Sequence, residues 1–229
     1  MNYSPFIYAN SCENVAISGA GKLNGQGSAW QEWNDRQEVA VNKLYQMAER
    51  EVPVEKRVFG TKEDSLRSSF IQFINCKNIL LSGITIIDSP FWIIHPVYSE
   101  NIIIDGINIS SFGYNSDGID IDSSKNVLIK NSKIETGDDG IAIKSGLDKD
   151  GWRINKPSEN IVIQDCLIRQ GHSGISIGSE MSGGVRNVLI QNSNFDDTDY
   201  GIRFKTMRGR GGIIENVWFI RRCTFRHYL

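Results

Sequence analysis

The chain has 229 residues, with 25 Lys and Arg against 27 Asp and Glu, and this near balance predicts neither a nucleic-acid partner nor a membrane surface. No apolar run approaches a membrane span, and the segment from Met1 to Phe6 lacks the basic start and apolar centre of a signal peptide. The four cysteines have no CxxC spacing, so we expect no metal and no cofactor. The size fits one domain, residues 1–229.

A self-similar unit recurs along the chain. Each copy has Asn, then Val or Ile, then any residue, then an apolar residue, and from the second copy onward the copies begin 23 to 34 residues apart. They begin at Asn14, Asn78, Asn101, Asn126, Asn160, Asn187 and Asn216. Between them lie short β-branched runs and turns, and nothing resembles a helix, which excludes leucine-rich and ankyrin repeats. The pattern predicts an all-β fold, a parallel β-helix of about seven coils with three short strands each.

The repeat asparagines are expected to serve the backbone and not the chemistry. Asn tolerates a positive φ and bonds nearby backbone in turns, and stacked copies could form an internal ladder of amides. Cys12 and Cys76 each stand two residues before a repeat asparagine, so they would be neighbours in the stack. We expect a pair of buried free thiols there in preference to a disulfide.

One segment interrupts the repeat between its first and second copies. It predicts a helix-bearing insertion at about residues 28–66, with an apolar helical stripe that ends before Pro53. The stripe consists of Val39, Ala40, Leu44, Tyr45, Met47 and Ala48. Packing on the outside of the coils is the plain interpretation. The alternative is that Trp30 or Trp33 lines a sugar groove, and Trp152 in a later loop has the same two interpretations.

Four later segments each join a turn to a short alternating strand, as in the sequence Asp-Gly-Ile-Asp-Ile-Asp at 117–122. Alternate side chains of a strand face opposite sides, so one set points into the coil and the other outward. The inward set is Ile119, Ile121, Ile141, Ile143, Ile175, Ile177, Ile202 and Phe204. The outward set, with the adjoining turn residues, is Asp117, Asp120, Asp122, Asp138, Asp139, Lys144, His172, Arg203 and Lys205. Stacked about 4.8 Å apart, these groups would share one site.

Four motifs on successive predicted coils match a known family in order and spacing. They are Asn115-Ser116-Asp117, Gly137-Asp138-Asp139, Gly171-His172-Ser173 and Ile202-Arg203-Phe204-Lys205. They resemble Asn-Thr-Asp, Gly-Asp-Asp, Gly-His-Gly and Arg-Ile-Lys of the polygalacturonase family, the pectin-cleaving glycoside hydrolases of family 28. Glycine-rich segments at 178–184 and 209–212 extend the match. The resemblance implies a right-handed parallel β-helix.

The residue types suit hydrolysis of a glycosidic bond, because one carboxyl group must protonate the leaving oxygen while another activates water. Three carboxyl groups this close cannot all ionise freely, so at least one pKa should rise. For Asp117 taken alone, an ordinary turn role before Gly stays open. The resemblance implies that Asp138 is the general acid and that His172 tunes it. Asp117 and Asp139 would hold the attacking water in a reaction that inverts the anomeric centre.

Cations beside the acids would bind the substrate, since every galacturonate unit carries a carboxylate. The expected substrate-binding residues are Arg203, Lys205, Asn115, Lys144 and Arg210. For Lys144 and Arg210, ordinary surface placement is the alternative. Asp120 could simply neutralise Arg203. His95 and His227 are expected to be structural only.

The predicted function is hydrolysis of α-1,4-galacturonosidic bonds in pectin or its oligosaccharides, with segment 178–184 favouring exo action. The alternatives are a calcium-dependent eliminase like pectate lyase and a pectin-binding β-helix without catalysis. The choice among homogalacturonan, rhamnogalacturonan and xylogalacturonan stays open. Family domains usually continue beyond both ends of this chain and are usually secreted or periplasmic. We therefore expect a partial catalytic domain that can associate end to end.

Overall fold

The computed structural model describes residues 2–220 and 223–226. Over these residues the chain winds into seven coils, and each coil gives one strand to each of three parallel sheets. The first sheet contains β1 (Ile7–Asn10), β4 (Ile71–Ile74), β7 (Ile94–Val97), β10 (Ile119–Asp122), β13 (Ile141–Lys144), β16 (Ser173–Ile177) and β19 (Tyr200–Phe204). The second contains β2 (Glu13–Ser18), β5 (Lys77–Ser82), β8 (Glu100–Asp105), β11 (Lys125–Lys130), β14 (Ser158–Gln164), β17 (Val185–Gln191) and β20 (Ile214–Ile220). The third contains β3 (Lys22–Asn24), β6 (Thr85–Ile87), β9 (Asn108–Ser111), β12 (Lys133–Thr136), β15 (Leu167–Arg169), β18 (Asn194–Asp196) and β21 (Thr224–Arg226). The predicted parallel β-helix is confirmed.

The core is a column of apolar side chains inside the coils. Ile119 pairs in register with Ile94 below it and Ile141 above it, so like residues stack on like. The six isoleucines predicted to point inward on β10, β13 and β16 are all 0% exposed. Burial of one such side chain contributes about 1.5–3 kcal/mol. In the last coil Phe204 is 51% exposed, since that face of the solenoid is open.

The repeat asparagines form a continuous amide ladder. Each side chain from Asn78 onward donates a hydrogen bond of 3.0–3.2 Å to the side-chain oxygen of the asparagine one coil earlier. All seven have φ between 54° and 59°, so the predicted positive φ is confirmed. The ladder lies on the outside of the solenoid and not in its interior. The apolar residue after each asparagine points inward, which turns the asparagine side chain outward.

The insertion between β3 and β4 contains helices α1 (Gln31–Arg36) and α2 (Glu38–Glu49) and 3-10 turns at Gly27–Trp30 and Val54–Lys56. Its apolar cluster is Ala40, Phe59 and Leu66 with Val41, Leu44 and Met47 packed against it. The packed face of α2 is therefore narrower than the predicted stripe, and Val39 is 78% exposed on the other face. Trp30 and Trp33 contact each other edge to face, with ring centroids 4.8 Å apart.

The expectation of no helix between the later repeats is wrong in one loop. Helix α3 (Asp148–Ile154) follows β13. Its internal glycine has a low helix propensity, so the sequence does not predict a helix there. A Cβ at Gly151 would lie 2.6 Å from Cβ of Ser182, so close packing requires glycine there. Arg57 of the insertion forms a two-pronged ion pair with Asp150 of α3 and so ties the two additions together.

Three smaller expectations have mixed outcomes. All four cysteines are free, but Cys12 is exposed and only Cys76 of that pair is buried.

His95 is buried, and its Nδ1 lies 2.9 Å from Nε2 of Gln72 and 3.2 Å from Oγ of Ser69, as expected of a structural histidine. His227 lies outside the described residues. In the described part of the chain, no helix has the length and apolar character needed to cross a membrane.

Candidate active site

The predicted residues meet where the third sheet turns into the first. Asn115 and Asp117 lie between β9 and β10, Asp138 and Asp139 between β12 and β13, and His172 just before β16. Glycines 118 and 140 follow the acids because the turns stack tightly. A Cβ at Gly118 would lie 2.5 Å from the carbonyl oxygen of Gly140, and one at Gly140 would lie 2.8 Å from that of Gly174. Close stacking thus explains the glycines, but it does not require carboxyl groups before them.

Three carboxyl groups gather at this point. Oxygens of Asp117, Asp138 and Asp139 all lie within 4.8 Å of one another. Asp117 is 3% exposed and Asp139 is 0% exposed, whereas Asp138 is only partly buried. The trio therefore has two deep members and one member open to solvent.

Asp139 is held as a carboxylate. Its Oδ2 accepts a hydrogen bond of 2.7 Å from Oγ of Ser176 and contacts the ammonium group of Lys205. Burial acts to raise the pKa of Asp139, but Lys205 and Ser176 outweigh it and bring the pKa below its ordinary value. The lysine of the Arg-Ile-Lys-like motif thus contacts an acid of the paired-aspartate motif.

The surroundings of Asp117 favour its protonated form. Burial raises its pKa to about 7, Asp138 and Asp139 add to the rise, and Lys144 opposes it. Asp120, 0% exposed on β10, also has a pKa well above its usual value because of burial and the nearby Asp117. The expectation that at least one pKa rises is confirmed.

Lys144 is not placed as an open substrate-binding cation. It is 3% exposed, and its Nζ lies 3.0 Å from Oε2 of Glu180, 3.6 Å from Oδ1 of Asp120 and 3.9 Å from Oδ2 of Asp117. Its ammonium group also lies 4.4 Å from the ring centroid of Trp92. The positive charge therefore faces the protein's own acids. Asp120 accordingly faces Lys144, and the interpretation that it neutralises Arg203 is wrong.

The remaining expected binding residues are dispersed. Arg203 is partly buried on β19 and lies 4.9 Å from the ring of Tyr200. Arg210 is 7% exposed, and its Nη1 lies 3.3 Å from Oδ1 of Asp148. The backbone oxygen of Arg210 accepts a hydrogen bond of 2.9 Å from the indole of Trp152. A cavity of about 240 Å³ adjoins Arg210, and no member of the trio lines it.

His172 faces the cleft from the next coil. Its side chain is 59% exposed, and Nδ1 lies 2.9 Å from Oδ2 of Asp199. This hydrogen bond raises the pKa of His172 above its ordinary value; partial burial opposes the rise and Asp138 adds to it. The sequence pattern did not identify Asp199, because an aspartate in a turn is common and its partner lies 27 residues earlier.

An open cleft of about 740 Å³ leads to Asp138 and His172. Its other lining residues are Ser28, Gln31, Ile87, Asp88, Ser110, Ser111, Phe112, Gly113, Tyr114 and Gly137. Phe112 and Tyr114 are 58% and 68% exposed, so aromatic faces are available to a sugar ring. Trp30 and Trp33 do not line this cleft, and packing is the better interpretation for them.

Asn115 is fixed by an arginine that the sequence analysis missed. Arg67 is 4% exposed and donates hydrogen bonds to side-chain oxygens of Asn115, Asn34 and Gln37 and to the carbonyl oxygens of Pro90 and Tyr114. Burial lowers the pKa of Arg67 to about 10. No spacing in the sequence indicates this contact, because the insertion brings Arg67 to the site.

The trio is the group of acids, within the described ranges, whose spacing could suit a metal ion. Carboxylates are the ligands that Ca²⁺ and Mg²⁺ prefer. Two ammonium groups already lie against this cluster, one on Asp139 and one near Asp117. They repel a further cation, and the arrangement favours acid–base chemistry over metal binding.

Carboxyl groups in close proximity beside an open cleft on a β-helix are the residue types that glycosidase chemistry uses. The model of the family described as glycosyl hydrolases family 28 matches residues 54–222. The chain belongs to this family.

The similar proteins of known name are longer than this chain. A hyperthermoactive exopolygalacturonase from Thermotoga maritima superposes with a TM-score of 0.93 at 46% identity, over 98% of this chain and 56% of that one. A probable polygalacturonase of Vitis vinifera is 33% identical over 98% of this chain and 41% of its own length. An endo-polygalacturonase of Pectobacterium carotovorum subsp. carotovorum is 32% identical over 93% of this chain and 48% of its own. The chain thus spans about half the length of these relatives.

Proposed function

We propose that the protein hydrolyses α-1,4-galacturonosidic bonds in pectin or pectic oligosaccharides. The observation that carries the proposal is the carboxyl trio at the cleft, with its oxygens within 4.8 Å of one another and Lys205 against Asp139. Similarity to proteins named exo- and endo-polygalacturonase supports the substrate class. The carboxylates of the substrate carry the opposite charge to the cations beside the trio.

The proposed roles are those that the family resemblance implies, and exposure and charge support them. Asp138 lines the cleft and would protonate the leaving oxygen. Asp117 and Asp139 lie deeper, and a gap of up to 4.8 Å between their oxygens can hold one bridging water as the nucleophile. The proton that Asp117 holds below about pH 7 keeps the trio partly neutral. His172 would tune Asp138 across the cleft mouth.

The stereochemical outcome is a separate part of the proposal. Carboxyl groups of inverting enzymes are usually about 6.5–9.5 Å apart and those of retaining enzymes about 5–5.5 Å apart. The oxygens here are closer than the usual inverting distance. The proposal of inversion therefore relies on the family resemblance. Proton NMR of the first product distinguishes the outcomes, because inversion of an α bond yields the β anomer first.

Substrate carboxylates would bind Arg203 and Lys205, which are both partly exposed residues. We also propose an indirect contribution to substrate binding from Asn115, Lys144 and Arg210, through the protein groups that they contact. Exo action is proposed from the resemblance of segment 178–184 and from the similarity to the Thermotoga exopolygalacturonase. Release of monomeric galacturonate from the earliest time points is the expected product pattern.

The decisive experiment measures reducing ends released from polygalacturonate by the parent protein and by Asp138→Asn. We expect activity in the parent and a loss of about 10²–10⁴-fold in the variant, with oligosaccharide binding retained. Unsaturated products that vanish with a calcium chelator would establish the eliminase instead. Binding without any product would establish a non-catalytic pectin-binding β-helix.

We also propose that the 229-residue polypeptide associates end to end. Its last coil exposes large apolar side chains, with Phe204 51%, Trp218 49% and Phe225 56% exposed. Unpaired strand edges and exposed interior residues favour contact with another copy. Sedimentation velocity across a range of concentrations tests this, and a monomer at every concentration would contradict it.

A further inference from the structure

An ion pair with a buried lysine lies beside Asp117 of the carboxyl trio. Lys144 is the last residue of β13, and Glu180 lies in the loop after β16. Nζ of Lys144 lies 3.0 Å from Oε2 of Glu180 on one side and 3.9 Å from Oδ2 of Asp117 on the other. The ring of Trp92, with its centroid 4.4 Å away, restricts the ammonium group further. One cation therefore sits between a trio member and an acid outside the trio.

One ammonium group serves three carboxyl groups at this point. Lys144 faces Glu180, Asp117 and Asp120, and a single positive charge can neutralise only one of them in the ionised form. Glu180 is closest and accepts the hydrogen bond. Its pKa is lowered, because attraction to Lys144 outweighs its own burial. The two aspartates share what remains of the attraction, and their oxygens receive no hydrogen bond from Lys144.

We propose that Lys144 and Glu180 are a pair of positioning residues that set how readily Asp117 releases its proton. Glu180 holds the ammonium group away from Asp117, and Lys144 in turn keeps the charged form of Asp117 accessible. The consequence for turnover rests on the proposed function, whereas the effect on Asp117 itself does not. The role differs from direct substrate binding, because Lys144 is buried beneath the trio.

Other charged groups also face Asp117. Asp138 and Asp139 approach from the next turn, Lys205 immediately follows β19, and Asp120 lies on β10, which begins two residues after Asp117. Their effect on the pKa of Asp117 is the same in every variant in which they are unchanged. If the pKa of Asp117 shifts in opposite directions when Lys144 and Glu180 are replaced one at a time, the shifts can therefore be assigned to this pair.

The test compares Glu180→Gln, Lys144→Met and the double variant. Removal of the cation should raise the pKa of Asp117 by about one unit or more, since a nearby opposite charge typically shifts a carboxyl group by about 1–3 units. Glu180→Gln leaves Lys144 to Asp117 and Asp120, so the pKa of Asp117 should fall. If Glu180 acts through Lys144, the double variant should match Lys144→Met alone. Lys125→Met is the matched control, because Lys125 pairs with Glu100 on another sheet at 3.0 Å.

Two readouts separate this proposal from the proposed function. Carbon NMR titration of labelled aspartates reports the pKa of Asp117 in any folded variant, active or not. The acidic limb of kcat/KM on polygalacturonate should move in the same direction as that pKa. Equal effects of both single variants, or additive effects in the double variant, would overturn the pairing. If Lys144→Met does not fold, Glu180→Gln still decides, since an unchanged or raised pKa of Asp117 contradicts the proposal.

Discussion

Arg67 donates a hydrogen bond of 2.7 Å from Nη2 to Oδ1 of Asn115, two residues before Asp117. The same guanidinium group bonds Asn34 of α1, 2.8 Å away, and the carbonyl oxygen of Tyr114, also 2.8 Å away. Among the described residues it has no carboxylate partner. One buried cation therefore joins the insertion to the loop that carries Asp117 and the cleft wall.

Arg67→Met should destabilise the fold and disturb the site together. Several buried oxygens lose their donor, and each such loss costs about 1–3 kcal/mol, so we expect a decrease of at least about 2 kcal/mol in the free energy of unfolding. Urea titration measures it. Arg36→Met is the control, because the exposed pair of Arg36 with Glu32 should be worth under about 0.5 kcal/mol. Equal effects would show that the hydrogen bonds of Arg67 contribute no more to stability than an exposed ion pair.

Lys205→Ala should discriminate between charged and uncharged substrates. The lysine is the cation next to Asp139, and a galacturonate carboxylate offers it a second partner. We expect kcat/KM to fall much further on galacturonate oligomers than on fully methyl-esterified ones. Lys130→Ala, which removes an exposed ion pair with Asp105, should leave both unchanged. Identical losses on the two substrates would assign Lys205 to Asp139 alone.

Activity should rise as pH increases toward about 7 from the acidic side. Asp117 carries a proton below that pH, and it can accept a proton from the attacking water only after losing its own. A pH profile of kcat/KM should therefore fall on the acidic side. Because the folded state binds the proton more tightly than the unfolded state, with its ordinary pKa of about 4, the free energy of unfolding should decrease between about pH 4 and 7. Asp117→Asn should make that decrease smaller, with Asp120 contributing the remainder, and an unchanged slope in the variant would contradict the assignment.

The asparagine ladder can be divided into a backbone and a side-chain contribution. Asn126 has φ of 57°, donates to Asn101 and accepts from Asn160. Asn126→Gly removes the ladder bonds only, whereas Asn126→Ala also forces a Cβ into left-handed backbone at a further cost of about 1–2 kcal/mol. Thermal unfolding should rank the parent above the glycine variant and the glycine variant above the alanine variant. The reverse order of the two variants would show that φ is not the constraint.

The features that could be predicted from the sequence are those that the repeat itself determines. Stacked isoleucines such as Ile119 and Ile141 and the positive φ of the repeat asparagines follow from local pattern and turn chemistry. The proximity of Asp117 to the paired aspartates follows from the same stacking. These features need only one coil and its neighbour.

The loops limited what could be predicted about the site. Strand alternation places Lys144 outward, but Glu180 and Trp92 come from loops that fold over the sheet and bury it. Arg67 reaches Asn115 only because of where the insertion packs. Such contacts depend on how each loop folds back, and a repeat pattern carries no information about that.

The spacing between coils also sets the distances between the acidic groups of the site. Paired strands lie about 4.7–4.9 Å apart, and the trio's oxygens lie within 4.8 Å, so Asp117 and the acids of the next turn are separated by one step of the solenoid. A group moved to the next coil would jump by a whole step, with only side-chain length available for finer adjustment. On this scaffold the distances between reacting groups therefore change in steps of one coil. New specificity can come from exchange of the loops while the stacked strands stay unchanged.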